Sequence, residues 1–371
     1  MKFVINKNDI RNILGKVQGI TGRRTNLAIT ETVLIQAKEQ TIKIVATDLE
    51  TGFEGEYPAT VESEGTIAIN AKKLFEIVRD FPSDSIDINE VENRWIEIGK
   101  ENIEYHIVGM NPEDFPDIPQ VDDAPLFEMD TQSLKRMIEK TIIIGGAPDD
   151  KRAHINGIYF ENLDDDDSKT LKMVSTDGSR LSTVDYPYKN GVCPIEKGVL
   201  IPKKGLGEVL KFLGPEKTVA IGLKDSHFVL KKENESFTIR LLEGEYPNYK
   251  DIIVRGIGHD VPVDRQLFLM VLKRMSILSS ENYRGVIFNF EKNLLTVRAT
   301  NPEIGESRED MVIKFAGDPI EAAFNPKYFI DSLGVIEDET AVINIVSSDK
   351  PCLVEGEKDK SYLSIIMPMK I

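Results

Sequence analysis

The sequence predicts an α+β protein of three repeated domains, with helices gathered on one face of antiparallel sheets. Three observations lead there. Similar turns recur at Thr47, Thr176 and Thr300, spaced by 129 and 124 residues. Each repeat holds two amphipathic helical stretches, and short alternating runs fill the rest.

The first helical stretch of each repeat is FVINKNDIRNILGKV (3–17), FEMDTQSLKRMIEKT (127–141) or VPVDRQLFLMVLKRM (261–275), and the three superpose without gaps. Their apolar positions are Ile10, Ile13, Leu14 and Val17; Leu134, Met137 and Ile138, followed by Thr141; and Phe268, Val271, Leu272 and Met275. That i, i+3, i+4, i+7 spacing marks one helix face. Asn6, Asp130 and Asp264 stand just before, where short polar side chains cap free N–H groups.

A second helix is expected midway through each repeat, in IAINAKKLFEIVRDFP (67–82), VLIPKKGLGEVLKFLGP (199–215) and AAFNPKYFIDSLG (322–334). Pro202 and Pro326 lie where these helices begin. TIKIVA, SIDINE, RWIEIG and KTVAIGL read as antiparallel strands bounded by turn residues. Each half-unit therefore runs strand, helix, then several strands. The matching segments YHIVGM (105–110), FTIRLL (237–242) and YLSIIM (362–367) mark domain ends, giving domains 1–123, 126–256 and 259–371. The Asp164–Asp167 run is too charged to pack and belongs in solvent.

Composition narrows the function. The chain is 41% apolar and 29% charged, with no apolar run long enough for a transmembrane helix. MKFVINKNDI lacks the apolar core of a secretory signal, and Cys193 and Cys352 make no CxxC or disulfide framework. A cytoplasmic protein is expected. His106, His154, His227 and His259 form no HExxH or HxH pair, and neither a Walker A loop nor GxGxxG occurs. No metal or cofactor is expected.

The net charge is −16, yet the six helical segments carry +10, leaving −26 elsewhere. Lys16, Lys140 and Arg274 share one repeat position; Lys72, Lys204 and Lys327 share another. Arg11, Arg23, Arg24, Lys73, Arg79, Lys135, Arg136, Lys203, Lys211 and Lys273 add to them. If the repeats stack side by side, these cations line one surface suited to a polyanion whose sequence is not read. The alternative is that they merely solvate their helices.

Thr176-Asp177-Gly178-Ser179-Arg180 also admits two readings. Asp and Gly suit a hairpin corner. A Ser–Asp catalytic pair would need a histidine and an oxyanion hole, which nothing in the pattern supplies, so no enzyme is expected.

Taken together, the three-fold repeat, the ATD and STDG turns, ENYRGV (281–286), FNPKY (324–328) and the terminal IIMPMKI resemble the bacterial DNA polymerase III β subunits, the replicative sliding clamps. The resemblance runs from MKFVI to the last residue. It implies two β-α-β-β-β halves per domain, and two chains joined head to tail in a ring. Helices would line the hole around double-stranded DNA, with sheets outside. It implies a dimer contact of Ile77 and Tyr105 against Ile277 and Leu278. It further implies a groove for short peptides of the DNA polymerase III α subunit, the clamp loader, other polymerases and mismatch-repair proteins. Carried across by motif, that groove holds Ile155, Thr176, Gly178, Ser179, Arg180 and Leu181, then Pro247, Ile252, Asn325, Tyr328 and Pro351. The tail completes it with Ile365, Ile366, Met367, Pro368, Met369, Lys370 and Ile371. Arg180 would meet a peptide carboxylate or carbonyl, and the unbranched Met367 and Met369 would adapt to several sequences. Pro368 would stop simple strand continuation. Ser179 stands where many relatives have His, and Asp251 where they have a basic residue, so peptide preference would differ at that edge. Arg152 is the DNA contact retained from its loop.

Overall fold

A computed structural model describes residues 1–22, 27–119, 121–145, 150–165, 168–189, 191–278 and 285–370. Arg23, Arg24 and Ile371, three of the expected site residues, lie outside the described residues, as do 281–284 of ENYRGV. Among the described residues are six helices of at least ten residues, one per expected half-unit: α1 (Lys7–Thr21), α2 (Ala71–Asp80), α3 (Thr131–Ile142), α4 (Lys203–Phe212), α5 (Arg265–Met275) and α6 (Pro326–Val335). The apolar faces read from the sequence are buried, from Ile10 through Val17 to Phe268 through Met275. Thr141 joins the buried face because its hydroxyl donates back to the Met137 carbonyl (2.7 Å).

The caps expected at Asn6 and Asp264 form, and Asn70 and Asn325 add two beyond those expected. The Asn6 side chain accepts from the Asn8 N–H (2.8 Å), that of Asp264 from Leu267 (2.7 Å), and those of Asn70 and Asn325 from Lys73 and Lys327 (both 3.0 Å). Such a cap is worth about 1 kcal/mol. Pro326 opens α6, where a missing N–H costs nothing.

Contacts group the chain into two compact units rather than three. The first comprises Met1–Gln132, Gly191–Ile195 and Lys204–Leu241. It holds a five-stranded sheet in the order Thr60–Ser63, Lys2–Asn6, Ser85–Glu90, Trp95–Lys100, Ile103–Val108. Its eight-stranded sheet runs from Leu126–Asp130 through Thr218–Lys224, His227–Lys232, Glu235–Arg240, Thr51–Pro58, Thr41–Thr47 and Thr32–Lys38 to Gly65–Asn70. The second unit comprises Ser133–Asn190, Glu196–Lys203 and Leu242–Ile371. Its eight-stranded sheet runs Val199–Pro202, Gly157–Asp165, Ser168–Thr176, Arg180–Tyr188, Tyr362–Ile366, Cys352–Gly356, Thr340–Ile345, His259–Asp264. A four-stranded sheet follows the order Gly305–Val312, Leu294–Asn301, Val286–Glu291, Ile320–Phe324. The strand pairings in all four sheets are antiparallel.

The sheets cross the repeat boundaries, which is why three repeats make two contact units. Thr51–Pro58 pairs with Glu235–Arg240, and Arg180–Tyr188 pairs with Tyr362–Ile366. At the first junction Phe53 lies opposite Phe237, and both rings meet Phe212 of α4. Behind them the buried Glu235 carboxylate accepts from Lys16 Nζ and from the Tyr57 hydroxyl (2.6 Å), with Lys232 Nζ at 3.2 Å. Gly55 is required here, because the Tyr57 hydroxyl occupies the place a Cβ would take. At the second junction Lys140 Nζ, buried, donates to Asp359 (3.0 Å).

Burial by itself would raise the Glu235 carboxyl, but Lys16, Tyr57 and Lys232 outweigh it and hold the group below its ordinary 4.5. The stabilisation is therefore present above about pH 4.5 and lost as pH falls through the lower folded value. We expect Glu235→Gln to cost about 2 kcal/mol at pH 7 and to flatten the acid limb of stability, as read by denaturant melts from pH 7 to 3.

Candidate functional site

The corner between Ser168–Thr176 and Arg180–Tyr188 uses every residue type in TDGSR. Thr176 Oγ1 donates to the Arg180 carbonyl (2.7 Å) and accepts from the Gly178 N–H (3.1 Å). Asp177 Oδ1 accepts from the N–H groups of Ser179 and Arg180 (both 3.0 Å). Gly178 sits at φ 89°, a region that favours glycine. The first repeat is fastened the same way: Thr47 Oγ1 donates to the Thr51 carbonyl (2.9 Å), and Asp48 Oδ1 accepts from Glu50 (3.1 Å) and Thr51 (2.7 Å). The hairpin reading holds at both corners. The catalytic reading fails, because the Asp177 oxygens address backbone N–H groups and Arg180 rather than the Ser179 hydroxyl.

Arg180 distinguishes the second corner, and its role differs from expectation. It is only 6% exposed. Nε donates to Asp177 Oδ2 (3.1 Å), one terminal nitrogen donates to Asp331 Oδ2 (2.6 Å), and the guanidinium lies 4.4 Å from the Tyr328 ring centre. A cation held between two carboxylates and a ring face braces the corner against α6 and is not presented to a peptide carboxylate. Asp331 was not anticipated from the sequence. The signal was available: Tyr328 and Asp331 are i, i+3 neighbours on one helix face, and a buried guanidinium needs acceptors beyond one Asp.

The tail is tied down by the N–H groups flanking Pro368. Met367 N–H donates to the Ser179 carbonyl (2.9 Å) and Met369 N–H to the Ala323 carbonyl (2.7 Å). The strand ends at Ile366, as the proline requires. Gly178, Ser179, Pro247, Ile252, Met367, Met369 and Lys370 are exposed; Asn325, Tyr328, Pro351 and Pro368 are half-buried. Ile155, Thr176, Leu181, Ile365 and Ile366 are buried, which corrects their expected place on the groove surface. Leu181 and Ile365 pack with Val174, Tyr249, Leu353 and Leu363 in one buried cluster. Asn325 serves as the α6 cap.

The cations divide in the same way. Lys16, Lys140 and Arg274, the repeat position that carried the polyanion argument, are all paired: with Glu235, Asp359 and Glu309. Lys140 is 2% exposed and is not a surface charge at all. Lys203 turns inward, donating to the Ile155 carbonyl (2.6 Å), and burial pulls its ammonium down to about 8. Lys73, Arg79, Lys135, Arg136, Arg152 and Lys211 each stand within 4.0 Å of a carboxylate: Glu76, Asp80, Glu139, Glu337, Asp150 and Glu208. Arg11, Lys72, Lys273 and Lys327 are exposed and have no carboxylate partner among the described residues; Lys204 is exposed too. Arg11, Lys16, Arg79 and Lys211 line one concavity around Gly15 and Phe75.

Of the expected dimer residues, Tyr105 is 45% and Ile277 74% exposed, while Ile77 and Leu278 are half-buried. Among the described residues, Glu97, Glu104 and His106 alone bring three potential metal ligands within 4.8 Å, and His106 already meets Glu104 at 3.2 Å.

Removing one acid from Arg180 leaves a buried cation half-paired. We expect Asp331→Ala to cost about 3 kcal/mol in chemical denaturation and to speed proteolysis of the tail. Arg180→Met combined with Asp331→Leu should recover most of the stability.

The chain as a whole is similar to known proteins. Family models of the DNA polymerase III beta subunit match in order: the N-terminal domain over residues 1–119, the central domain over 128–248 and the C-terminal domain over 251–370. The beta sliding clamps of Vibrio cholerae and Pseudomonas putida are 28% and 29% identical, each covering all of both chains. Among solved structures, the DNA polymerase III subunit beta of Pseudomonas aeruginosa has a TM-score of 0.91 at 29% identity. The sliding clamp of Bartonella birtlesii bound to griselimycin has 0.93 at 27%; both comparisons cover all of each chain. The chain belongs to the DNA polymerase III β subunit family, the sliding clamps, and is a non-catalytic processivity factor rather than an enzyme.

Proposed function

We propose that two copies of this chain close head to tail into a ring around double-stranded DNA, holding the replicative polymerase there. Domains 1–123, 126–256 and 259–371 are the repeating units of that ring. The observation that carries the reading is a pair of open sheet edges. The strand after the corner of one repeat joins the last strand of the next: Thr51–Pro58 with Glu235–Arg240, and Arg180–Tyr188 with Tyr362–Ile366. The third such strand, Gly305–Val312, ends its sheet, and so does Ile103–Val108, the first repeat's last strand. A second copy supplies both missing neighbours, and its contacts close by rotation.

Charge supports the match. In the register of the first junction, where Gly52 faces Thr238, Glu306 would face His106 of the partner subunit and Arg308 would face Glu104 of the partner subunit. Arg308 and the partner's Glu104 are then an opposite-charge pair across the join. The exposed Tyr105 and Ile277 supply apolar surface for the same contact.

Topological linkage lets individual phosphate contacts stay weak, and weak, sequence-blind contacts allow sliding. Arg11, Lys72, Lys204, Lys273 and Lys327 are the cations placed to make them, helped by the Arg11–Lys211 concavity. The exposed Ile252, Pro247, Met367 and Met369 offer apolar, adaptable surface to short peptides. The partners we assign to it are the DNA polymerase III α subunit, the clamp loader, other polymerases and mismatch-repair proteins, in the cytoplasm. No helix among the described residues is long and apolar enough to cross a membrane.

Loaded protein should stay on circular DNA and leave linear DNA by its ends. Equal escape from both would mean that no ring forms. Changing Arg11, Lys72, Lys273 and Lys327 to Gln should weaken retention and lower the salt slope, by up to roughly seven because the ring carries two copies of each. Deleting Met367–Ile371 should abolish binding of a polymerase-derived peptide in fluorescence anisotropy. The mass in solution should remain near twice the 41.7 kDa chain.

A further inference from the structure

We propose that Glu309 keeps Arg274 neutralised within its own chain, so that the junction between two copies lacks the ion pair that staples both internal junctions. This rests on the head-to-tail dimer proposed above. The two internal staples correspond, although the acid begins a strand in the first and lies in the hairpin turn in the second. Lys16 reaches Glu235 and Lys140 reaches Asp359, each across 219 residues, from the first helix of one repeat to the last hairpin of the next. Arg274 holds the same helix position in the third repeat, and in the proposed ring its next repeat is the first repeat of a second copy.

At that junction the acid has moved. Ile44, Met173 and Val297 share one repeat position, and the residues facing them across the hairpin are Gly55, Val184 and Glu309. Only the third repeat places a carboxylate there, and it takes Arg274 through both Nε (2.9 Å) and a terminal nitrogen. The following repeat has no acid at the place of Glu235; the acids of that hairpin stand beside it, at Glu101 and Glu104. Glu235 faces Lys232 across its hairpin, and the matching residue facing Lys100 is Ile103.

The physical consequence concerns opening. Parting an internal junction would pull opposite charges apart through a poorly solvated gap, since Glu235 is 6% and Lys140 2% exposed. Parting two copies separates no ion pair at this position, because Arg274 and Glu309 travel together. The two non-covalent junctions of the ring are thus relieved of this charge-separation barrier, which the internal junctions of each chain retain.

The test restores the missing staple. Four full-length chains are compared: the natural one, Glu309→Gln, Ile103→Glu and the double variant. Subunit exchange is followed by mixing dimers carrying donor and acceptor dyes, at low and high salt. The carboxylate introduced at position 103 should be idle while Glu309 holds Arg274. In the double variant it should slow exchange about tenfold relative to Ile103→Glu alone, with the gain lost in high salt. Glu309→Gln with Ile103→Gln, which has the shape without the charge, should show no such gain. Additive effects of the two substitutions, or a gain that survives salt or appears with Gln, would overturn the proposal. A natural chain that is monomeric by light scattering would instead overturn the dimer reading. Thermal melts identify a variant that fails to fold. In that case Ile103→Asp with Glu309→Gln replaces it, read by the same criterion.

Discussion

A β-strand at the edge of a sheet presents unpaired N–H and C=O groups, and those groups have to be covered. Much of this chain's organisation follows from that one requirement. Each repeat makes a hairpin whose outer strand has no neighbour within the repeat. The first two are completed by the next repeat along the chain, at Thr51–Pro58 and Arg180–Tyr188. Covering an edge this way merges sheets across repeat boundaries, so that the molecule groups into two contact units although its sequence repeats three times.

Once the edges are joined, charges that look like surface charges become internal ones. Glu235, Lys232, Lys140 and Arg180 are all buried, and each is paired across a junction or against a corner. Buried pairs of this kind add little net stability compared with apolar packing, but removing one partner is costly. Their value here is geometric. Lys16 and Tyr57 converge on Glu235 from α1 and from the strand Thr51–Pro58, which sets the position of the strand that begins at Glu235. Arg180 similarly ties the TDGSR corner to α6 through Asp331 and Tyr328. The tail can then be held by two backbone hydrogen bonds, to Ser179 and Ala323, with the Met367 and Met369 side chains partly free. A rigid base carrying an adaptable rim suits a surface that accepts more than one sequence.

The same logic separates the cations by role. A lysine at a recurring helix position is not thereby a ligand for phosphate. Lys16 and Lys140 each meet a carboxylate of the next repeat, and Arg274 meets Glu309 of its own hairpin. Arg11, Lys72, Lys273 and Lys327 stand away from such junctions and remain available. An overall charge of −16 is compatible with a face of this kind, since a total charge says nothing about its distribution.

By itself the sequence determined the repeat, the six helices with their buried faces and caps, the corner chemistry of Thr-Asp, and membership of the clamp family. These are local matters, set by spacing, by side-chain oxygens within three residues of the N–H groups they accept, and by motifs in order. Only the tertiary structure decided which of the apolar residues near the corner and tail are buried and which are exposed, and which cations are paired. Leu181 and Ile365 face each other across a pairing of two strands that lie about 180 residues apart in the chain, and both strands are buried there. Lys140 and Asp359 meet across 219 residues. Helical periodicity points Lys140 away from the α3 core, and nothing local reveals that another repeat is waiting there with an acid.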